Sequence, residues 1–150
     1  MEKLIVTTNR KARHDYHLFD TFEAGIELMG SEVKSLRESR ANLKDAYVTV
    51  REGEVFLIGA HISAYSHTGF TGHVPRRDRR LLLQKREIRK LHQKLTQKGF
   101  TAVPLKIYFN ERGWAKVEFA LARGKRTYDK KEAIKKRDIQ RELQREGHQR

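Results

Sequence analysis

Residues Asn9–Arg37 read NRKARHDYHLFDTFEAGIELMGSEVKSLR, and three successive patterns in this stretch decide the fold. From Asn9 to Tyr16 the chain carries Arg10, Lys11, Arg13, His14 and Tyr16 with almost nothing to bury. Ala24, Ile26 and Leu28 then alternate with Glu23, Gly25 and Glu27, the period of a strand with one buried face. Met29, Val33 and Leu36 follow at spacings of four and three, one apolar face of a short helix. A basic, aromatic-tipped segment is thus tied directly to core elements. This predicts a rigid domain that holds a cationic surface in a fixed place.

Upstream, Leu4-Ile5-Val6 suits a short edge strand or an ordered arm. Downstream, Glu38–Asp45 is polar and turn-like, and Tyr47–Ile62 reads as a hairpin turning at Glu52-Gly53, with Val48/Val50 and Val55/Leu57 alternating on its arms. Ser63–Arg80 is a long connection ending in RRDRR. A helix is expected over 84–98, with Ile88, Leu91 and Leu95 on one face and Gly99 just past its end. Val103, Leu105, Ile107 and Phe109 alternate, as do Ala115, Val117, Phe119 and Leu121 across a turn at Asn110–Gly113. The count is five or six mostly antiparallel strands with about three helices. A mainly β fold follows, a small antiparallel barrel of the OB type, with a flat α+β sandwich as the competing arrangement.

The 150 residues carry a net charge of +14, with 35% charged residues, and a mean hydropathy of -0.79. So basic a chain points to a polyanionic partner, nucleic acid or an anionic membrane surface, against the plainer reading of charge kept for solubility. No apolar run has the length of a membrane span or a signal-peptide core, and there is no cysteine; together these fit a cytoplasmic protein. The composition divides the chain into a barrel over residues 1–122 and a tail over 123–150. The tail has eleven Lys/Arg against five Asp/Glu and few aliphatics. It is expected to be disordered when free and to become helical on a polyanion.

The signals for enzymatic chemistry are weak. His61, His67 and His73 recur every six residues without the helical spacing or carboxylates of a metal site, and Gly69–Gly72 lacks the spacing and lysine of a phosphate loop. The signals for binding are better. His14 and Tyr16 can stack on unpaired bases among the phosphate-seeking cations Arg10, Lys11 and Arg13, although Tyr16 can equally begin a strand and pack. Glu23 on a basic surface can accept hydrogen bonds from base amino groups, or can be an ordinary strand carboxylate. Lys116 alternates outward. Arg76, Arg77, Arg79 and Arg80 suit phosphates on a loop, and Trp114 is placed in the core.

Four blocks of the sequence resemble the small protein B (SmpB) family, the partners of transfer-messenger RNA (tmRNA) in bacterial ribosome rescue. They are Asn9–Tyr16, Phe22–Arg37 with its GIELMGSEVKS core, His73–Ile88, and Gly113–Lys131. Lys131 stands where the family usually has arginine, and Val74 and Asp78 stand where an acid and a proline are common. The resemblance implies an OB-type barrel that grips the tRNA-like domain of tmRNA, and a tail that enters the empty messenger channel at the decoding centre of a stalled ribosome. It implies a non-enzymatic, cytoplasmic monomer without metal or cofactor, working alongside elongation factor Tu and alanyl-tRNA synthetase. It assigns RNA contact to Asn9, Lys11, His14, Tyr16, Glu23, Leu82 and Lys116, to which the charge pattern adds Arg13, Arg76 and Arg79, although Leu82 in an LLL run reads by itself as core. The ribosome-facing role falls on Gly124, Lys125, Asp129, Lys130, Lys131, Lys135, Lys136 and Arg137. The rival binding reading is a general basic OB protein of the translation machinery, and the rival enzyme reading a metal-dependent nuclease.

Overall fold

A computed structural model describes residues 4–64 and 73–125. The elements in chain order are β1 (Leu4–Thr8), α1 (Arg10–Asp15), β2 (Tyr16–Ile26), α2 (Gly30–Arg37), β3 (Ala41–Asn42), β4 (Tyr47–Arg51) and β5 (Glu54–Ile58). Then come β6 (His61–Ile62), β7 (Arg79–Leu82), α3 (Lys85–Leu95), β8 (Thr101–Phe109) and β9 (Ala115–Gly124). The main sheet runs β1-β8-β4-β5-β7-β2-β9, and β9 pairs back onto β8, closing six strands into an antiparallel ring with β1 added at an edge of β8. This is the expected OB-type barrel, and its closure rules out the flat sandwich. β3 and β6 form a separate two-stranded ladder.

The hairpin forms as its sequence dictates over 47–58, whereas His61–Ile62, expected to belong to it, pair with β3 instead. Val48 faces Leu57 and Val50 faces Val55. Glu52 and Gly53 both take positive φ (51° and 79°), the geometry of a two-residue turn matched to strand twist. Helix α3 buries Leu91 fully and packs Ile88 and Leu95 against the core. It ends at Leu95, earlier than expected, and Gly99 (φ 87°) serves the turn into β8 rather than the helix end.

Two departures from simple alternation matter. Val103, Leu105, Ile107 and Phe109 alternate without fault in sequence, yet they do not share a face. Pro104 pairs with Phe119 and Lys106 with Glu118, so Leu105 is an extra residue in β8, a bulge that switches the strand's faces. Ile107 and Phe109 point into the barrel, whereas Val103 and Leu105 join Ala120 and Ala122 in a second cluster under Ala12 of α1. The opening basic segment does bury something: Ala12 is 2% exposed and seats α1 on the barrel wall. The other departure is α2. Leu36 is buried, but Met29 is exposed, and the rest of the buried face is polar: Ser31, Glu32 and Ser35.

Candidate nucleic-acid interface

Strands β7, β2, β9 and β8 place a row of side chains across the outside of the barrel. Gly25 of β2 pairs with Leu82 of β7 on one side and Lys116 of β9 on the other, and Lys116 pairs with Tyr108 of β8. Glu23 lies two residues along β2 on the same face and pairs with Glu118, which is held by Lys106 at 3.2 Å. The Tyr108 hydroxyl is pushed above the ordinary tyrosine range, by burial first and then by the Glu23 and Glu118 carboxylates. At one end the row opens into a groove of about 660 Å3, walled by Leu28, Val33, Leu82 and Trp114 with Gly25 and Lys116 beside them.

Leu82 and Trp114 are where strand alternation puts them, not where their hydrophobicity suggested. β7 buries Arg79 and Leu81, which turns Leu82 outward at 47% exposure. Trp114, expected in the core, is 67% exposed. With Val117 and Phe119 inside, the residues that alternate with them face out. The Asn110 side chain accepts the amides of Arg112 and Trp114 (3.1 and 2.9 Å) and fixes the turn that delivers the indole to the groove.

The remaining predicted contacts sit around α1. Asn9 pins the helix start to β8, donating from its amide to the Leu105 carbonyl (2.7 Å) and from Nδ2 to the Pro104 carbonyl (2.9 Å). Arg10 and Arg13 line a cleft with Lys106 and Glu118, continuing the row that contains Glu23. Lys11 and Tyr16 line a separate groove on the other flank of α1, with Lys44 and Tyr47. His14 is exposed, its Nδ1 2.8 Å from the Asp15 carboxylate.

The arginine run after Pro75 is a correction. Arg79, expected to meet phosphate on a loop, is fully buried. Its Nε donates to Glu32 Oε2 (2.5 Å), and its Nη atoms donate to the carbonyls of Ala60 (2.9 Å), Arg77 (3.2 Å) and Pro75 (3.0 Å). Arg77 donates to the same carboxylate through Nε and Nη2. Burial pushes the Glu32 carboxyl up, but Arg77, the Met29 amide and Arg79 outweigh it and hold its pKa below the ordinary value. Two cations of the RRDRR run thus answer a single buried anion, and Arg76 reaches the Gly59 carbonyl (3.1 Å). Alongside, His73 is spanned by the Ser31 hydroxyl (Nδ1, 2.8 Å) and the Ile62 carbonyl (Nε2, 2.9 Å), so both ring nitrogens are engaged; His67 lies outside the described residues. Sequence reasoning missed this cluster, because a charge run carries no sign that its partner is one glutamate 45 or more positions upstream.

Gly124, counted with the tail, belongs to β9 and pairs with Tyr16, so the barrel runs beyond the boundary expected at 122. Lys125 is the last described residue. Asp129, Lys130, Lys131, Lys135, Lys136 and Arg137 lie outside the described residues.

A closed antiparallel barrel that lays cations, apolar walls and a carboxylate acceptor along one outer face belongs to the nucleic-acid-binding proteins of the OB class. The family model described as "SmpB protein" matches residues 6–149, so the chain belongs to the SmpB family. It is 57% identical over 141 residues to an SsrA-binding protein of Moorella thermoacetica, covering 94% of this chain and 91% of that one. An SsrA-binding protein of Trichodesmium erythraeum is 54% identical over 142 residues, covering 94% and 90%. A chain from a solved structure described as "tmRNA-SmpB: a journey to the center of the bacterial ribosome" superposes with a TM-score of 0.69 at 50% identity, over 85% of this chain and 93% of that chain.

Proposed function

We propose that this chain is a tmRNA-binding adaptor of trans-translation, gripping the tRNA-like domain of tmRNA with the barrel and meeting the stalled ribosome through its C-terminal segment. The observation that carries the reading is the row Leu82–Gly25–Lys116 beside Glu23. A glycine in the middle of a strand leaves a floor that a flat group can approach closely. Leu82 and Trp114 supply apolar walls for an unstacked base, Lys116 a cation for phosphate, and Glu23 an acceptor that a phosphate would repel but a base amino group would not. Arg10, Arg13 and Lys106 extend the cationic surface along the backbone of the same RNA. Lys11, His14 and Tyr16 complete the contact around α1. No step in this role breaks a covalent bond, so it calls for no catalytic group. The RNA it carries is handled in turn by alanyl-tRNA synthetase and elongation factor Tu. The family relationship and the solved tmRNA–SmpB neighbour support the RNA partner and the ribosomal setting.

Sequencing the RNA that copurifies with the full chain tests the reading. One dominant structured RNA with a tRNA-like domain is expected. A broad mixture of tRNA and rRNA fragments refutes it in favour of a general basic OB protein.

A further inference from the structure

Three elements converge where the chain leaves the barrel. β2 has an irregularity between Leu18 and Thr21, and bulges of this kind re-aim side chains. Phe19, inside it, meets the Phe100 ring edge-on at a centroid distance of 5.4 Å. Phe100 ends the turn after α3, just past Gly99 (φ 87°). Over the Phe100 ring, 4.1 Å from its centroid, lies the guanidinium of Arg123, the penultimate residue of β9. Arg123 Nε is buried and has no hydrogen-bond partner among the described residues. Stacking on the ring is thus a contact that can hold this side chain in place. A planar guanidinium can lie flat on the ring and add stacking to the cation–π attraction, whereas an ammonium offers a point charge alone.

This contact lies at the opposite end of β9 from Lys116 and Trp114, away from the groove they line, and next to the Gly124 pair with Tyr16. We propose that Arg123 is a positioning residue: stacked on Phe100, it clamps the last residues of β9 and fixes the place and direction in which the C-terminal segment leaves the barrel. The clamp converts a strand end that would otherwise fray into a rigid departure point, which lowers the entropic cost of delivering the C-terminal segment to a fixed target. The inference rests on the reading that residues 126–150 act on the ribosome, and its test separates the two.

The chain has no cysteine, so Lys125→Cys gives a single nitroxide site in the full-length protein. With Arg123 intact, paramagnetic broadening is expected to concentrate on amides around Phe19 and Phe100. In Arg123→Ala, Arg123→Lys and Phe100→Leu it is expected to spread and weaken. Tagging on stalled ribosomes should fall roughly two- to fivefold, the size of one exposed cation–π contact, with affinity for tmRNA unchanged. Arg123→Ala combined with Phe100→Leu should be no worse than Phe100→Leu alone, because that variant already removes the Arg123 contact along with the Phe19 one. Unchanged broadening in Arg123→Ala overturns the proposal, as does a tagging loss that only accompanies a lowered melting temperature. A drop in tmRNA affinity overturns it too, by making Arg123 an RNA contact. Tagging that survives a chain cut after Lys125 refutes the tail reading instead, and the nitroxide experiment still judges the clamp.

Discussion

Replacing Glu32 with glutamine preserves the shape of the side chain and removes one charge from a site where little can replace it. Glu32 and Arg79 are both fully buried, while the Arg77 side chain keeps 31% of its surface in water. Arg79 would keep its three carbonyl acceptors but lose its counter-ion, and breaking one side of a buried pair costs about 3–5 kcal/mol. Arg77 can turn toward solvent and recover part of its share, which places the expected loss near the lower end, about 3 kcal/mol. That is a large part of the ~5–15 kcal/mol that holds a domain together. Urea titration of Glu32→Gln against the parent should show a lower midpoint at unchanged slope. A loss below about 1 kcal/mol would mean that the cluster contributes no more than a surface pair, and would refute its role as a buried clamp.

The same carboxylate sets a pH signature. Its folded-state pKa lies below the ordinary 4.5, so its contribution to stability is complete above the unfolded value and disappears as pH falls through the folded one. Parent and variant should therefore differ most at neutral pH and converge in acid. Divergence that grows toward low pH would mean the folded-state pKa is raised instead.

Gly25→Val tests the floor of the groove: a Cβ there meets Leu82 at ordinary contact distance (3.5 Å), so the fold should persist while RNA affinity drops tenfold or more. Wild-type affinity in that variant would remove Gly25 from the interface. Affinity for tmRNA should fall steeply with salt, and Lys116→Ala should flatten the log–log slope by about 0.7–0.9. Arg79→Met should instead lower stability and leave that slope alone; a flattened slope would restore Arg79 as a phosphate contact. A chain ending at Lys125 should bind tmRNA within about tenfold of the full chain yet fail to tag stalled ribosomes. A chain ending at Ala122 should also melt earlier, because it loses the Arg123 and Gly124 pairs to β2.

Legible and hidden features of the sequence divide along a physical line. Strand alternation is local, so the second half of β2, the β4–β5 hairpin and the β8–β9 pair were legible, and the glycines in the turns marked where they reverse; the first half of β2, from Tyr16, was not. The β8 bulge was not, because Val103, Leu105, Ile107 and Phe109 obey the rule the structure breaks; only the second layer under Ala12 makes the switch worthwhile. Trp114 shows the opposite error. Its outward direction follows from the phase of Val117 and Phe119, and at this position phase outweighs hydrophobicity. The Glu32 cluster was out of reach, since Ser31, Glu32 and Ser35 are all polar and all buried by partners distant in sequence. Glu23, Leu82 and Lys116, to which the family resemblance assigns RNA contact, lie along one outer row, whereas Arg79 is part of the scaffold.

β9 relates the two halves of the proposed function. It pairs with β8 from Ala115 to Ala122 and with β2 from Lys116 to Gly124, and from Phe119 to Ala122 it is buried on both faces. Both neighbours hold the strand as far as Ala122, and past it Arg123 and Gly124 pair with β2 alone. Lys116 stands near its start, among the groups assigned to RNA, and Arg123 near its end, where the chain departs. Seven residues at ~3.3 Å each separate them by about 23 Å. If the groove holds the RNA and the departing segment meets the ribosome, that separation is a fixed length between two binding events. A flexible joint would lower the effective concentration of the second event once the first is made. The bulges in β2 and β8 lie between these ends, where each sets an extra residue opposite β9 and bends the neighbouring strand around it.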